Sequence, residues 1–133
     1  MLAAERAGAE IVSVDSMQVY RGMDIGTAKP TAADRDRVAH HMIDLADPAD
    51  PFSVAEFQAA GRAVLDDLER RGVPAQIDGR SGLHFRALLE PLEFHRSDPQ
   101  VPSRIDPLPP ADAAARLSEA DPSAGDHVVL DKP

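Results

Sequence analysis

The run Glu10-Ile11-Val12-Ser13-Val14-Asp15-Ser16 decides how the rest of the chain folds. Ile11 to Val14 is short, mostly β-branched and almost without polar alternation, the pattern of a strand buried on both faces of a parallel sheet. Asp15 and Ser16 then fall at that strand's carboxyl end, where open α/β sheets collect their ligands. Just upstream, Leu2 to Arg6 favours helix and Gly8 offers a left-handed cap. Downstream, no apolar period survives from Met17 to Pro30, and Gly22, Gly26 and Pro30 mark a long ordered loop. Long loops at strand ends are often functional.

Farther out, Thr31-Ala32-Ala33-Asp34 resembles a capping box, and His40 to Leu45 returns toward an extended segment. Ser53-Val54-Ala55-Glu56 is a second, stronger capping box. Val54, Phe57, Gly61, Val64, Leu65 and Leu68 recur behind it at helical spacing up to Arg70, Arg71 and the stop at Gly72. Val73 to Ile77 predicts another short strand, and Asp78-Gly79-Arg80-Ser81-Gly82 a tight turn into a helix from Leu83 to about Glu90. Pro99, Pro102, Pro107, Pro109 and Pro110 make a packed helix or strand unexpected between Phe94 and Pro110, so this stretch reads as a linker or surface loop. A last short helix is expected over about 111–120. Strands alternating with helices predict an α/β fold with a parallel sheet. Two convincing strands and a third weaker one leave that sheet incomplete.

The 133 residues are 43% apolar and 28% charged, which fits one soluble domain with a single core. Cysteine is absent, so disulfides and thiolate metal sites are excluded. No run approaches the ~18 to 20 apolar residues that span a bilayer, and the expected setting is cytoplasmic, with no membrane partner and a monomeric state. A formal net charge of −9, with lysine only at Lys29 and Lys132, excludes a broad basic footprint for nucleic acid within this stretch.

Three features invite chemistry and have plainer readings. Gly22, Gly26, Thr27 and Lys29 lack the G-x-x-x-x-G-K-[ST] spacing of a phosphate loop. His40 and His41 are adjacent, so on a strand they point to opposite faces, and a structural role is expected rather than a metal site. An Asp before Ser at a strand end is, on its own, most often a turn former.

The whole stretch from Glu10 to Pro30, EIVSVDSMQVYRGMDIGTAKP, closely resembles the signature of tRNA dimethylallyltransferases. The similarity continues through His40-His41-Met42-Ile43-Asp44, Asp47-Pro48 and Phe52 to Gln58, then more weakly through Gly79 to Leu89 and Leu117 to Val129. The resemblance implies a P-loop NTPase-like core that holds the diphosphate of dimethylallyl diphosphate rather than hydrolysing ATP, with Mg2+ as cofactor. It implies transfer of the dimethylallyl group to N6 of adenosine 37 in the tRNA anticodon stem-loop. Asp15 would accept the amine's proton, since an aromatic amine is a poor nucleophile without a base. Asp15, Ser16, Met17, Gln18 and Ser81 match positions that touch the substrate tRNA, whereas Thr27 and Lys29 carry no assigned chemistry.

Set against the family pattern, the reading is of a central fragment. Residues 1–93 are expected to be part of the P-loop NTPase-like core, incomplete at both ends, and 94–133 a Pro-rich linker with the start of a helical tRNA-binding region. The Gly-rich phosphate loop is expected upstream of Met1, and an arginine-rich helix after the segment 124–132, so the isolated chain is expected to be inactive. Arg80 stands where the family has the second of two glycines, which would obstruct close approach at Ser81. Asp78 stands where an apolar residue is expected, costly if buried without a partner. Two other classes stay open: a non-catalytic remnant or binding module, and an enzyme that prenylates free adenylate.

Overall fold

The computed structural model describes residues 1–94 and 100–125. The chain divides into two units, 1–94 and 95–133. In the first, strand β1 (Glu10–Ser13) lies between β2 (His40–His41) and β3 (Ala75–Asp78), all parallel, in the order β2-β1-β3. Ile11 sits opposite His40 in one ladder and opposite Gln76 in the other. Parallel neighbours require crossovers. Helix α2 (Ala32–Arg37) lies on the first crossover, and α3 (Val54–Arg71) on the second.

Side chains alternate across a strand, and β1 is buried on both sides as its sequence demands. Val12 and Val14 enter a core with Val19, Met42, Phe57, Leu68 and Leu88, whereas Ile11 packs with Ala4 and Val38, Ala4 lying on helix α1 (Leu2–Ala7). Phe57 is wholly buried. The expected punctuation holds: Gly8 and Gly72 close α1 and α3 in the left-handed conformation, and Thr31 and Ser53 each form a reciprocal capping box. Helix α4 (Gly82–Leu89) packs on α3 at Gly61, where a Cβ would come within 2.6 Å of Leu88 Cδ1.

Two expectations need amendment in this unit. The extended segment from His40 stops at His41, because Met42 and Asp44 take positive φ of 65° and 55°. Such a conformation costs a branched or polar side chain about 1 kcal/mol or more. At Asp44 ion pairs to Lys29 (2.8 Å) and Arg35 (2.7 Å) offset it. Asp78 is exposed rather than buried, because β3 is an outer strand of the described sheet, so the desolvation cost does not arise.

In the second unit, α5 (Gln100–Ile105) forms where the prolines predicted a loop. Pro102 falls in its first turn, where the amide has no intrahelical acceptor, so nothing is lost. None of α5 is buried. Helix α6 (Pro110–Ala120) starts with proline at its first position, a favoured place, and α7 (Pro122–Gly125) follows. Val101 and Ile105 face Ala113 and Leu117 across an apolar groove of about 550 Å³. The readings that involve Pro99 and the segment from 126 onward lie outside the described residues. No helix among the described residues is long and apolar enough to cross a membrane.

Candidate active site

Asp15 lies two residues past the end of β1 and is 5% exposed. Its Oδ1 accepts the Met17 backbone N–H at 2.9 Å, a tight local turn that fixes the carboxylate's orientation. Its Oδ2 faces Arg80 Nε at 3.2 Å. The turn carrying Arg80 is stitched to the end of β1: Val14 N–H donates to Asp78 O at 2.7 Å, and Ser81 N–H to Val14 O at 3.2 Å. Glycine at 79 makes that approach possible, since a Cβ there would lie 2.6 Å from the Val14 carbonyl carbon. The intruding Arg80 therefore leaves the turn intact, because its side chain leaves the turn and reaches to Asp15.

Ser81 caps α4, its hydroxyl 2.6 Å from His84 Nδ1. His84 stacks edge-on against Phe57, ring centroids 4.5 Å apart. Burial pushes the His84 imidazole below its ordinary range, only partly opposed by the nearby Asp15 charge. It is a neutral partner for Ser81 at neutral pH. Asp15, Ser16, Met17, Arg80 and Ser81 together line an open cavity of about 450 Å³. A second cavity, about 320 Å³, shares Asp15 and Arg80 and includes Ser13, Gln18, His40 and Gly79 in its wall.

Of the residues singled out in the sequence, Asp15, Ser16, Met17 and Ser81 thus meet at one cavity. Gln18 does not line it. Its Oε1 accepts the Ser13 hydroxyl at 2.8 Å, and its Nε2 donates to the carbonyls of Thr27 (3.0 Å) and Ala28 (3.2 Å). The side chain braces the 17–30 loop from within. Lys29, given no chemistry from sequence, anchors the same loop: its side chain is 1% exposed and its ammonium meets Tyr20 O (2.6 Å), Asp44 (2.8 Å) and Asp24 (2.9 Å). Burial opposes that charge, yet the bonds to Asp44 and Asp24 raise the Lys29 pKa above the usual lysine range. Asp44 is lowered by Lys29 and Arg35 against the same burial. A lone lysine between two aspartates was the available signal.

His40 and His41 serve structure: His40 Nδ1 lies 2.7 Å from Val38 O, and His41 Nε2 2.6 Å from Glu10. Among the described residues no group of three or more His, Cys, Asp or Glu is placed to hold a metal. The site as it stands offers an oriented, nearly buried carboxylate beside two hydroxyls and one largely exposed cation, a set suited to taking a proton from a neutral ligand.

Comparison with known proteins decides the lineage. The IPP transferase family model matches residues 18–131. The chain belongs to the IPP transferase family. It is 48% identical over 120 residues to tRNA dimethylallyltransferase 1 of Citrifermentans bemidjiense, covering 90% of this chain and 39% of that protein. It is 46% identical to the tRNA dimethylallyltransferase of Salinispora arenicola, covering 90% and 36%. The solved tRNA isopentenylpyrophosphate transferase of Bacillus halodurans superposes with TM-score 0.65 at 36% identity, over 96% of this chain and 44% of that one. A eukaryotic dimethylallyltransferase acting on tRNA shares the fold with TM-score 0.79 at 20% identity. The three-stranded parallel sheet with its helices is thus a portion of the P-loop NTPase-like fold of IPP transferases. The chain spans about two-fifths of the length of these curated relatives.

Proposed function

We propose that this chain is the acceptor-side segment of a tRNA dimethylallyltransferase, in which Asp15 is the general base. The observation that carries this reading is Asp15 itself: a nearly buried carboxylate with one oxygen fixed by a backbone amide and the other at the lip of an open cavity. The acceptor is N6 of adenosine 37 in a tRNA anticodon stem-loop, and the donor is dimethylallyl diphosphate. The nitrogen lone pair forms the new N–C bond, the C–O bond to diphosphate breaks with its electrons leaving on oxygen, and the amine proton passes to Asp15. Ser16, Met17 and Ser81 line the acceptor's cavity, with the Ser81 hydroxyl held by His84. Gln18, in the wall of the adjoining cavity with Asp15 and Arg80, completes the tRNA-contacting set and also holds the loop that follows it.

Seating the diphosphate requires an amide-rich phosphate loop, and the G-x-x-x-x-G-K-[ST] pattern occurs nowhere in the 133 residues. Magnesium, the cofactor expected beside a diphosphate, is assigned to none of the described residues. Residues 1–93 contribute core, and 94–133 a Pro-rich stretch leading to helices that meet tRNA.

The test uses two preparations. In a longer protein that joins this segment to a phosphate loop, Asp15→Asn should lower kcat about 100-fold or more while KM changes little. The 133-residue chain alone should transfer no prenyl group to an anticodon stem-loop. An unchanged kcat removes Asp15 from the chemistry, and turnover by the isolated chain removes the need for a separate donor seat.

A further inference from the structure

The Asp15–Arg80 pair joins unequal partners. Asp15's side chain is 6% exposed and Arg80's is 68% exposed. The guanidinium has one bond to Asp15 through Nε and a long contact of 3.4 Å from Nη2 to Thr27 O. An ion pair with one arm in water is loosely held. Lys29, which lines the adjoining cavity with Asp15, has its ammonium engaged by Asp24, Asp44 and Tyr20 O and buried. Among the described residues, Arg80 is therefore the one cation lining the cavity of Asp15, Ser16, Met17 and Ser81, and its own side chain is already largely in water.

Both oxygens of Asp15 are occupied in this state, one by Met17 N–H and one by Arg80. Each oxygen keeps a further lone pair that a ligand amine can use, and a competing anion in the same cavity draws the loosely held guanidinium away from Oδ2. A nucleotide carries both groups in one molecule, an exocyclic amine and a phosphate, and a guanidinium pairs with phosphate in bidentate fashion. Resting on the acceptor-site reading above, we infer that Arg80 is a specificity-determining residue that exchanges partners. It holds Asp15 when the site is empty and takes the phosphate of an incoming adenine nucleotide, releasing the carboxylate to the base. The exchange pairs the guanidinium with phosphate and leaves Asp15 hydrogen-bonded to the Met17 amide and the ligand amine. It makes the cavity selective for a phosphorylated nucleotide over the bare nucleoside, in a segment whose net charge of −9 otherwise repels phosphate.

The experiment titrates the 15N-labelled 133-residue chain with adenosine 5′-monophosphate and with adenosine at equal ionic strength. It follows the backbone amides of Ser16, Met17 and Ser81 and the Arg80 side-chain Nε–H, assigned by its loss in Arg80→Gln. The monophosphate should bind at least ten-fold more tightly and shift the Arg80 signal, whereas adenosine should shift only the backbone amides. Arg80→Gln should bring the monophosphate down to adenosine's affinity and leave adenosine's own affinity within two-fold. Arg80→Lys, which keeps the charge without the fork, should recover part of the preference. Equal affinity for the two ligands in the parent chain, or a preference that survives in Arg80→Gln, overturns the partner exchange and leaves the acceptor cavity standing. If neither ligand shifts any of these signals, the acceptor-site reading falls, and the exchange with it.

Discussion

The two ends of β1 each carry an acid, and the surroundings treat them in opposite ways. At the start, Glu10 receives two bonds from Arg71, at 2.7 and 2.9 Å, and a third contact from His41 at 2.6 Å. These partners, Arg71 foremost and His41 next, hold its carboxyl at about 2, well below the usual carboxylate range. Arg71 is itself braced by Asp67 one turn back on α3. At the other end, Asp15 is more deeply buried yet has one neutral amide and one loosely anchored arginine. Burial alone does not set how firmly an acid is held; the grip of its partners does. One end clamps α3 to the sheet, and the other holds its carboxylate by one amide and one largely exposed arginine.

The severest way to break this contrast is Phe57→Ala. Phe57 sits in the same cluster as Val12 and Val14 and also supports His84, so both ends rest on it. Its loss should cost about 3 to 5 kcal/mol, much of the stability of a small domain, and a urea midpoint close to that of the parent would show that the core lies elsewhere. A milder change isolates the clamped end. Glu10→Gln removes the charge but keeps the shape, and after screening at the half-exposed Arg71 it should cost on the order of 1 kcal/mol at pH 7.

The same substitution has a pH signature. Because the folded value of Glu10 lies below the unfolded one, its contribution is complete above about pH 4.5 and is lost as pH falls toward 2. Unfolding curves of parent and Glu10→Gln should therefore converge across that window, and a constant gap between them would deny the clamp. The smallest effect belongs to the Asp15 end: Arg80→Gln should move stability by no more than about 0.5 kcal/mol. A drop several times larger would make the Asp15–Arg80 pair a second clamp.

What the sequence made legible was local. The β-branched run at Ile11 to Val14, the boxes at Thr31 and Ser53, and the glycines at 8 and 72 are each written within a few residues of where they act. Asp15 could be placed because a strand's carboxyl end follows from the strand. The pair to Arg80 could not, because its partners are 65 residues apart and nothing local records the meeting. Arg80 was visible only as an intruder in a glycine turn. Gln18 was named by likeness alone, and its bonds to Ser13, Thr27 and Ala28 depend on how the loop folds back, which no local pattern records. Asp44's left-handed backbone has no sequence mark of its own, since Lys29 and Arg35 impose it from outside its segment. At α5, proline spacing misled because position within a helix, not proline count, decides whether the ring is tolerated.

Gly79 leaves no play between the last residues of β1 and the first turn of α4. With Val14 bonded on one side to Asp78 and on the other to Ser81, those segments translate together or not at all. The freer motions at this rim are therefore torsions about single bonds in the exposed side chains of Met17 and Arg80, on the nanosecond scale of exposed rotamers.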